Sequence, residues 1–163
     1  MKKHLFILFA LFAVTLQVWG KDWEAGKTLY FDNSVTKWEK VYVLLYNDNY
    51  SRAYEMKLVE GTTVLFSYTM DENWSGYSRF VIACDCGSTS TDGVNKGGSD
   101  IYKSCSSRTS SKEESIRDNK LVTATGDKSP YSISVTDKFD IDEYRGTKET
   151  YTVYFKNTLG WNN

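Results

Sequence analysis

The sequence predicts an all-β fold, an immunoglobulin-like antiparallel β-sandwich. Three observations point there. Runs rich in β-branched and aromatic residues recur along the chain, polar turn clusters separate them, and no stretch keeps a helical period. Eight short strands spaced this way need two sheets packed face to face to bury their apolar sides.

Taken in order, the first strand is 28–32, Thr-Leu-Tyr-Phe-Asp, in which Leu29 and Phe31 alternate with Tyr30. Leu29 and Phe31 are the better core pair, which turns Tyr30 outward. The second, 40–46, is apolar on both faces: Tyr42, Leu44 and Tyr46 on one, Val41, Val43 and Leu45 on the other. A strand of that kind belongs in the middle of a sheet, with at least one of its tyrosines packed. Strands at 53–59 and 62–68 flank Glu60-Gly61, a two-residue hairpin signal. A buried-type strand follows at 79–84. Residues 85–118, rich in Ser, Thr and Gly, cannot fill a core and read as a long loop or insertion. Strand patterns resume at 120–125, 131–136 and 151–155.

The chain of 163 residues suits one domain and is short for two. Its first twenty residues read as a secretory signal peptide: Lys2 and Lys3 lead, 5–18 is apolar, and Val18 and Gly20 stand at the positions a signal peptidase reads. The apolar run is shorter than the roughly 20 residues of a spanning helix and contains Thr15 and Gln17, so a membrane anchor is the weaker reading. The expected product is secreted or displayed at the cell surface. Residues 21–149 form the sandwich, and 150–163 read as the first strand of a second module. The last expectation rests on an echo: Thr28-Leu29-Tyr30-Phe31-Asp32-Asn33 followed by Trp38 returns as Thr152-Val153-Tyr154-Phe155-Lys156-Asn157 followed by Trp161.

Charge and residue usage exclude several functions. Lys and Arg number 20 against 21 Asp and Glu, so no nucleic-acid partner and, once the signal is gone, no membrane partner is expected. Without the signal the charges stand at 18 against 21, and the chain's single histidine, His4, is lost with it. Catalytic triads, Cys-His pairs and histidine-ligated zinc all need an imidazole. Carboxylate-only hydrolysis survives that exclusion, through Asp71, Glu72, Asp92 or the acidic run 137–143, but nothing in the sequence pairs two of them across a cleft. The acidic run also lacks the spacing of a calcium loop and reads as surface charge. No enzyme activity, cofactor or metal is expected. Among the three cysteines, Cys105 is expected to bridge to Cys84 or Cys86, because Cys84 and Cys86 sit too close along a strand to bridge each other without strain. Asn49 and Asn73 open glycosylation acceptor triplets.

The string Thr28, Tyr30, Phe31, Asn33, Trp38, Val41, Tyr42, Val43, Tyr46 resembles the opening of starch-binding modules, carbohydrate-binding module family 26 and its relative family 25. The likeness runs from Lys27 through Met56 and 80–82 to Val94, with Thr91-Asp92 matching a family turn. It departs from the family in lacking a Trp-Pro-Gly segment and in its Ser-rich stretch 97–115. The resemblance implies a β-sandwich that binds an α-glucan (starch, glycogen or a maltooligosaccharide) and is often appended to a glycoside hydrolase or a surface protein. Stacking falls to Tyr30 and Trp38, with Tyr42 beside them, and Asn33 and Lys40 are polar partners. The physics suits that role: a sugar ring offers an apolar C–H face, and an exposed aromatic ring covers it at little entropic cost. The charged neighbours of Trp38 favour a surface position for it, and Trp74 reads as a second contact at a loop tip. The alternative is an adhesion or structural β-sandwich that binds protein, its tyrosines and serines acting as a paratope.

Overall fold

The computed structural model describes residues 22–48, 50–84, 95–96 and 105–146. The signal segment, Asn49, Cys86, Thr91, Asp92 and the echo at 152–161 lie outside the described residues.

Two five-stranded sheets pack face to face, as expected of an all-β sandwich. In the first, β1 (Thr28–Asp32) is central, flanked by β5 (Leu65–Thr69) and β9 (Lys120–Thr125), with β4 (Lys57–Leu58) and β10 (Ser132–Thr136) at the edges. In the second, β2 (Tyr42–Tyr46) lies between β3 (Tyr50–Glu55) and β6 (Arg79–Ala83), with β7 (Asn95–Lys96) and β8 (Lys112–Glu113) outermost. All pairs are antiparallel except β1 with β9.

Strand parity sets the core. Leu29 and Phe31 of β1 face Val43, Leu45, Phe80 and Ile82 of the second sheet, and Val122 and Ala124 join from β9. Trp23, Met70, Trp74 and Ile116 extend this core. The other face of β2 and β6 carries a second apolar cluster of Leu44, Tyr46, Ala53, Val81 and Ala83, against which Tyr42 and Cys105 pack. This is why β2 is apolar on both faces. Tyr46 is the packed tyrosine, its hydroxyl sharing a hydrogen bond with that of Ser111.

Four expectations need correction. The run 53–59 is two strands in different sheets. The chain crosses between them at Met56, whose N–H donates to Val41 O at 2.8 Å and whose flexible side chain fills the corner. The hairpin is wider than two residues: Leu58 pairs Phe66, and within 59–65 the Thr62 N–H reaches Val59 O at 3.0 Å while Gly61 takes φ +77°. The stretch 85–118 is not all loop. Within it Thr109 and Ile116 are fully buried and β8 pairs with β6, because ladder bonds use the backbone whatever the side chains. The acidic run is not merely surface charge. Asp140 caps a one-turn helix, α1 (Ile141–Gly146), by accepting from the N–H groups of Asp142 (2.8 Å) and Glu143 (3.3 Å). Asp137 binds the ammonium of Lys120, which is 6% exposed and also meets Glu114 at 3.1 Å. Those contacts raise the Lys120 pKa although burial opposes them, and they lower that of Asp137.

Of the cysteines, Cys105 is one half of a disulfide and Cys84 is not part of it.

Candidate functional site

The segment between β1 and β2 builds the candidate site. After β1 the chain turns sharply: the Ser34 N–H donates to Asp32 Oδ1 at 2.8 Å and the Lys37 N–H to Asn33 O at 2.8 Å. Lys37 carries the strain of the turn at φ +52°, a conformation uncommon for a residue with a side chain. One buried side chain holds the loop in this shape. Asn33 is 6% exposed, and its amide clasps the backbone of Trp38 from both sides. Asn33 Nδ2 donates to Trp38 O at 2.8 Å, and Trp38 N–H donates back to Asn33 Oδ1 at 2.9 Å. The Thr36 hydroxyl gives the same oxygen a further bond at 2.6 Å. An asparagine amide here imitates a strand partner, and no other short side chain offers a donor and an acceptor so spaced.

That clasp fixes where the indole of Trp38 lies. The ring stacks on Phe31 at 5.7 Å and 20°, and the ring of Tyr131 meets it edge-on at 5.9 Å and 77°. Trp38 is half-buried, leaving part of the indole open to solvent. It opens onto a groove of about 450 Å³ lined by Lys37, Trp38, Glu39, Lys40, Tyr42 and Cys84. Tyr42 is half-buried at the start of β2, opposite Ala83, and Lys37, Glu39 and Lys40 are exposed around the rim.

The structure therefore brings together three of the five residues singled out from sequence: Trp38, Tyr42 and Lys40. The other two are elsewhere or differently employed, and both readings are corrected. Asn33 does not line the groove; its amide is buried and holds the loop. Tyr30 does sit on the face of β1 opposite Leu29 and Phe31, but it is only 8% exposed. Phe139 lies against it at 4.9 Å and 61°, and Tyr144 of α1 backs Phe139 at 5.5 Å. Burial raises the pKa of the Tyr30 hydroxyl accordingly. Residues 137–146 form a strap across the outer face of the first sheet, tied down by Phe139 N–H to Asn119 O at 2.8 Å and by Arg145 Nη2 to Glu60 O at 2.8 Å. Trp74 is a further correction. It is 5% exposed, bridged to Trp23 through the backbone, and its ring lies under the Arg52 guanidinium at 3.8 Å.

Sequence reasoning missed two contributors to the groove. Cys84 lines one wall and Tyr131 braces the indole, while Lys37, read from sequence as the end of the turn and a charged neighbour of Trp38, takes the left-handed conformation there. The contact with Tyr131 is a tertiary one with no local signature.

Chemically, the groove offers two aromatic surfaces beside two ammonium donors and one carboxylate acceptor. Aromatic surface beside exposed donors and acceptors can hold a molecule that has both C–H faces and hydroxyl edges. Comparison of the chain with protein-family models, with curated proteins and with solved structures gives no match in any of the three.

Proposed function

We propose that the protein is a non-catalytic, exported module that binds α-glucan in the groove between Trp38 and Tyr42. The observation that carries this reading is the double clasp of Asn33 on the Trp38 backbone, which holds a part-exposed indole beside a second aromatic and a charged rim. A binding site that meets its ligand with rigid aromatic surface loses little entropy on association. The resemblance of the 28–46 string to starch-binding modules favours a glucose polymer over other glycans. Tyr30 has no share in the contact, since Phe139 occupies the face that a sugar would need.

In this reading the sugar lies against the open part of the Trp38 indole and the Tyr42 ring, and Lys37, Lys40 and Glu39 reach its hydroxyls. The test is affinity electrophoresis of the protein through gels containing soluble starch. Retarded migration, reversed by free maltooligosaccharide, is the expected result. Unchanged mobility at saturating starch overturns the proposal. Tyr42→Ala is expected to weaken retention by about tenfold, the loss of about 1.4 kcal/mol of stacking, with the unfolding transition still cooperative.

A further inference from the structure

Among the described residues the two sheets end in four edge strands, and one is unlike the rest. β4, β7 and β8 are two residues long, and each contains a lysine: Lys57, Lys96 and Lys112. Short length and charge are what keep a sheet edge from pairing with another chain. β10 has neither safeguard. It runs for five residues, Ser132-Ile133-Ser134-Val135-Thr136, with no charge, proline or glycine among them. One side of it is paired with β9 along its whole length.

The backbone groups on its other side can be assigned. Tyr131 N–H donates to Arg108 O at 3.0 Å and Tyr131 O accepts from Ser110 N–H at 2.7 Å, so the backbone of Tyr131 points away from β9. The direction alternates along an antiparallel strand, so Ile133 and Val135 also point outward, while Ser132, Ser134 and Thr136 bond to β9. Segment 108–110 covers only Tyr131, and no other described residue bonds the outward N–H and C=O groups of Ile133 and Val135. After Thr136 the chain turns, with Lys138 at φ +54°, and crosses the outer face of the sheet, where Phe139 meets Tyr30. The edge is thus left clear over the length of β10. The side chains of Ile133 and Val135 are half-buried on the core, and those of Ser132, Ser134 and Thr136 are exposed.

We propose that β10 is the docking edge for a second copy of this chain, paired antiparallel about a two-fold axis beside Ser134. In this register Ile133 stands opposite Val135 of the partner subunit, and Val135 opposite Ile133 of the partner subunit. Each pair exchanges both N–H···O bonds, which employs all four outward groups of each strand. The occupant follows from the strand itself. By type it reads the same in both directions, hydroxyl, β-branched, hydroxyl, β-branched, hydroxyl, so a two-fold sets like beside like. No like charges meet along the five residues. The two first sheets become one, and the half-buried Ile133 and Val135 gain apolar cover from their counterparts. This inference does not depend on the α-glucan reading.

The experiment is sedimentation velocity from about 10 µM to about 1 mM, the range of a weak to moderate self-association, with amide hydrogen exchange at Ile133 and Val135 measured over the same range. A reversible dimer is expected, with exchange at both amides slowing as concentration rises. Ser134→Lys and Ser134→Glu are each expected to weaken association about fivefold or more at low salt, because two like charges meet at the axis, while the exposed position leaves the unfolding transition unchanged. Mixing the two variants is expected to restore the dimer. A monomer at every concentration overturns the proposal, as does a dimer indifferent to both variants or a mixture that associates no better than either alone. Protection of Ile133 and Val135 that is the same at all concentrations and in both variants also overturns it, since the chain would then cover its own edge.

Discussion

Two aromatic residues from the same stretch of chain meet opposite fates. Trp38 stays part-exposed over a groove, while Tyr30 is sealed under Phe139. Strand parity turns Tyr30 away from the core as expected, so parity is not what separates them. The difference lies in what the rest of the chain lays on top. The first sheet's outer face carries the strap 137–146, pinned at Asn119 and Glu60, whereas the loop holding Trp38 is held by Asn33 and, among the described residues, Trp38 stays half-buried beside a groove. An outward-facing aromatic is available for binding only where no later segment covers it.

The sharpest way to break the groove side is Asn33→Ala. It removes three part-buried hydrogen bonds, and at about 1 kcal/mol each a loss of about 3 kcal/mol in stability is expected from urea unfolding. On the proposed reading starch binding is expected to be lost with it, although Asn33 does not line the groove. Starch affinity unchanged from the parent would show that the clasp does not shape the site.

On the strap side, Lys120→Ala is expected to cost about 2 kcal/mol, because it leaves Glu114 and Asp137 without their cation while both can still rehydrate. The pH profile identifies the mechanism. Asp137 has a lowered pKa, so its contribution is complete above the ordinary carboxylate range and fades as pH falls through the lowered value. Lys120 has a raised pKa, so its contribution is complete below about pH 10.5 and fades as pH rises through the raised value. In Lys120→Ala the acid arm attributable to Asp137 should vanish. The alkaline arm should persist in part through Tyr54, whose hydroxyl burial pushes up to about 12, and Tyr68, which stacks on it at 4.6 Å and is also raised. An unaltered acid arm would dismiss the ion pair as a contributor.

Phe139→Ala should cost about 1–2 kcal/mol, the loss of a half-buried aromatic, and leave starch binding by the groove intact. It should also bring the Tyr30 hydroxyl pKa down towards 10, followed by ring resonances, because the burial that raises it is removed. Loss of starch binding in this variant would move the site to the strap. Lys40→Ala, the smallest change, is expected to leave stability within about 0.5 kcal/mol and to weaken starch binding a few-fold.

How far the sequence was legible follows from the range of the interactions involved. The positions of β1, β2, β6, β9 and β10 could be read because side-chain alternation is a local property. So could the inward pair Leu29 with Phe31, and the placing of Val43 and Leu45 on one face of β2, though not which face of that strand turns inward. The crossing at Met56 was hidden because one apolar run serves two sheets in succession. Thr109 and Ile116 were hidden inside a polar stretch, since their burial depends on backbone partners Ile82 and Asp22 far away in sequence. Trp74 looked like a loop tip because its bridge to Trp23 is tertiary. The helix α1 did carry a local signal, Asp140 with Glu143 three residues on, overlooked because the run was judged by its charge. For the candidate site, Trp38, Tyr42 and Lys40 came from the resemblance of the 28–46 string, and the groove brings the three together. Asn33 was identified as well, but a side chain able to bind a sugar hydroxyl is equally able to bind a backbone amide.

The most direct measurement is titration of the oxidised protein with maltoheptaose while the Trp38 indole N–H and the Tyr30 ring are followed together by nuclear magnetic resonance. The account predicts saturable movement of the Trp38 signal, with Tyr42 moving in step and Tyr30 and Phe139 unmoved. Movement of Tyr30 with Trp38 unmoved, or no movement of either, would contradict it.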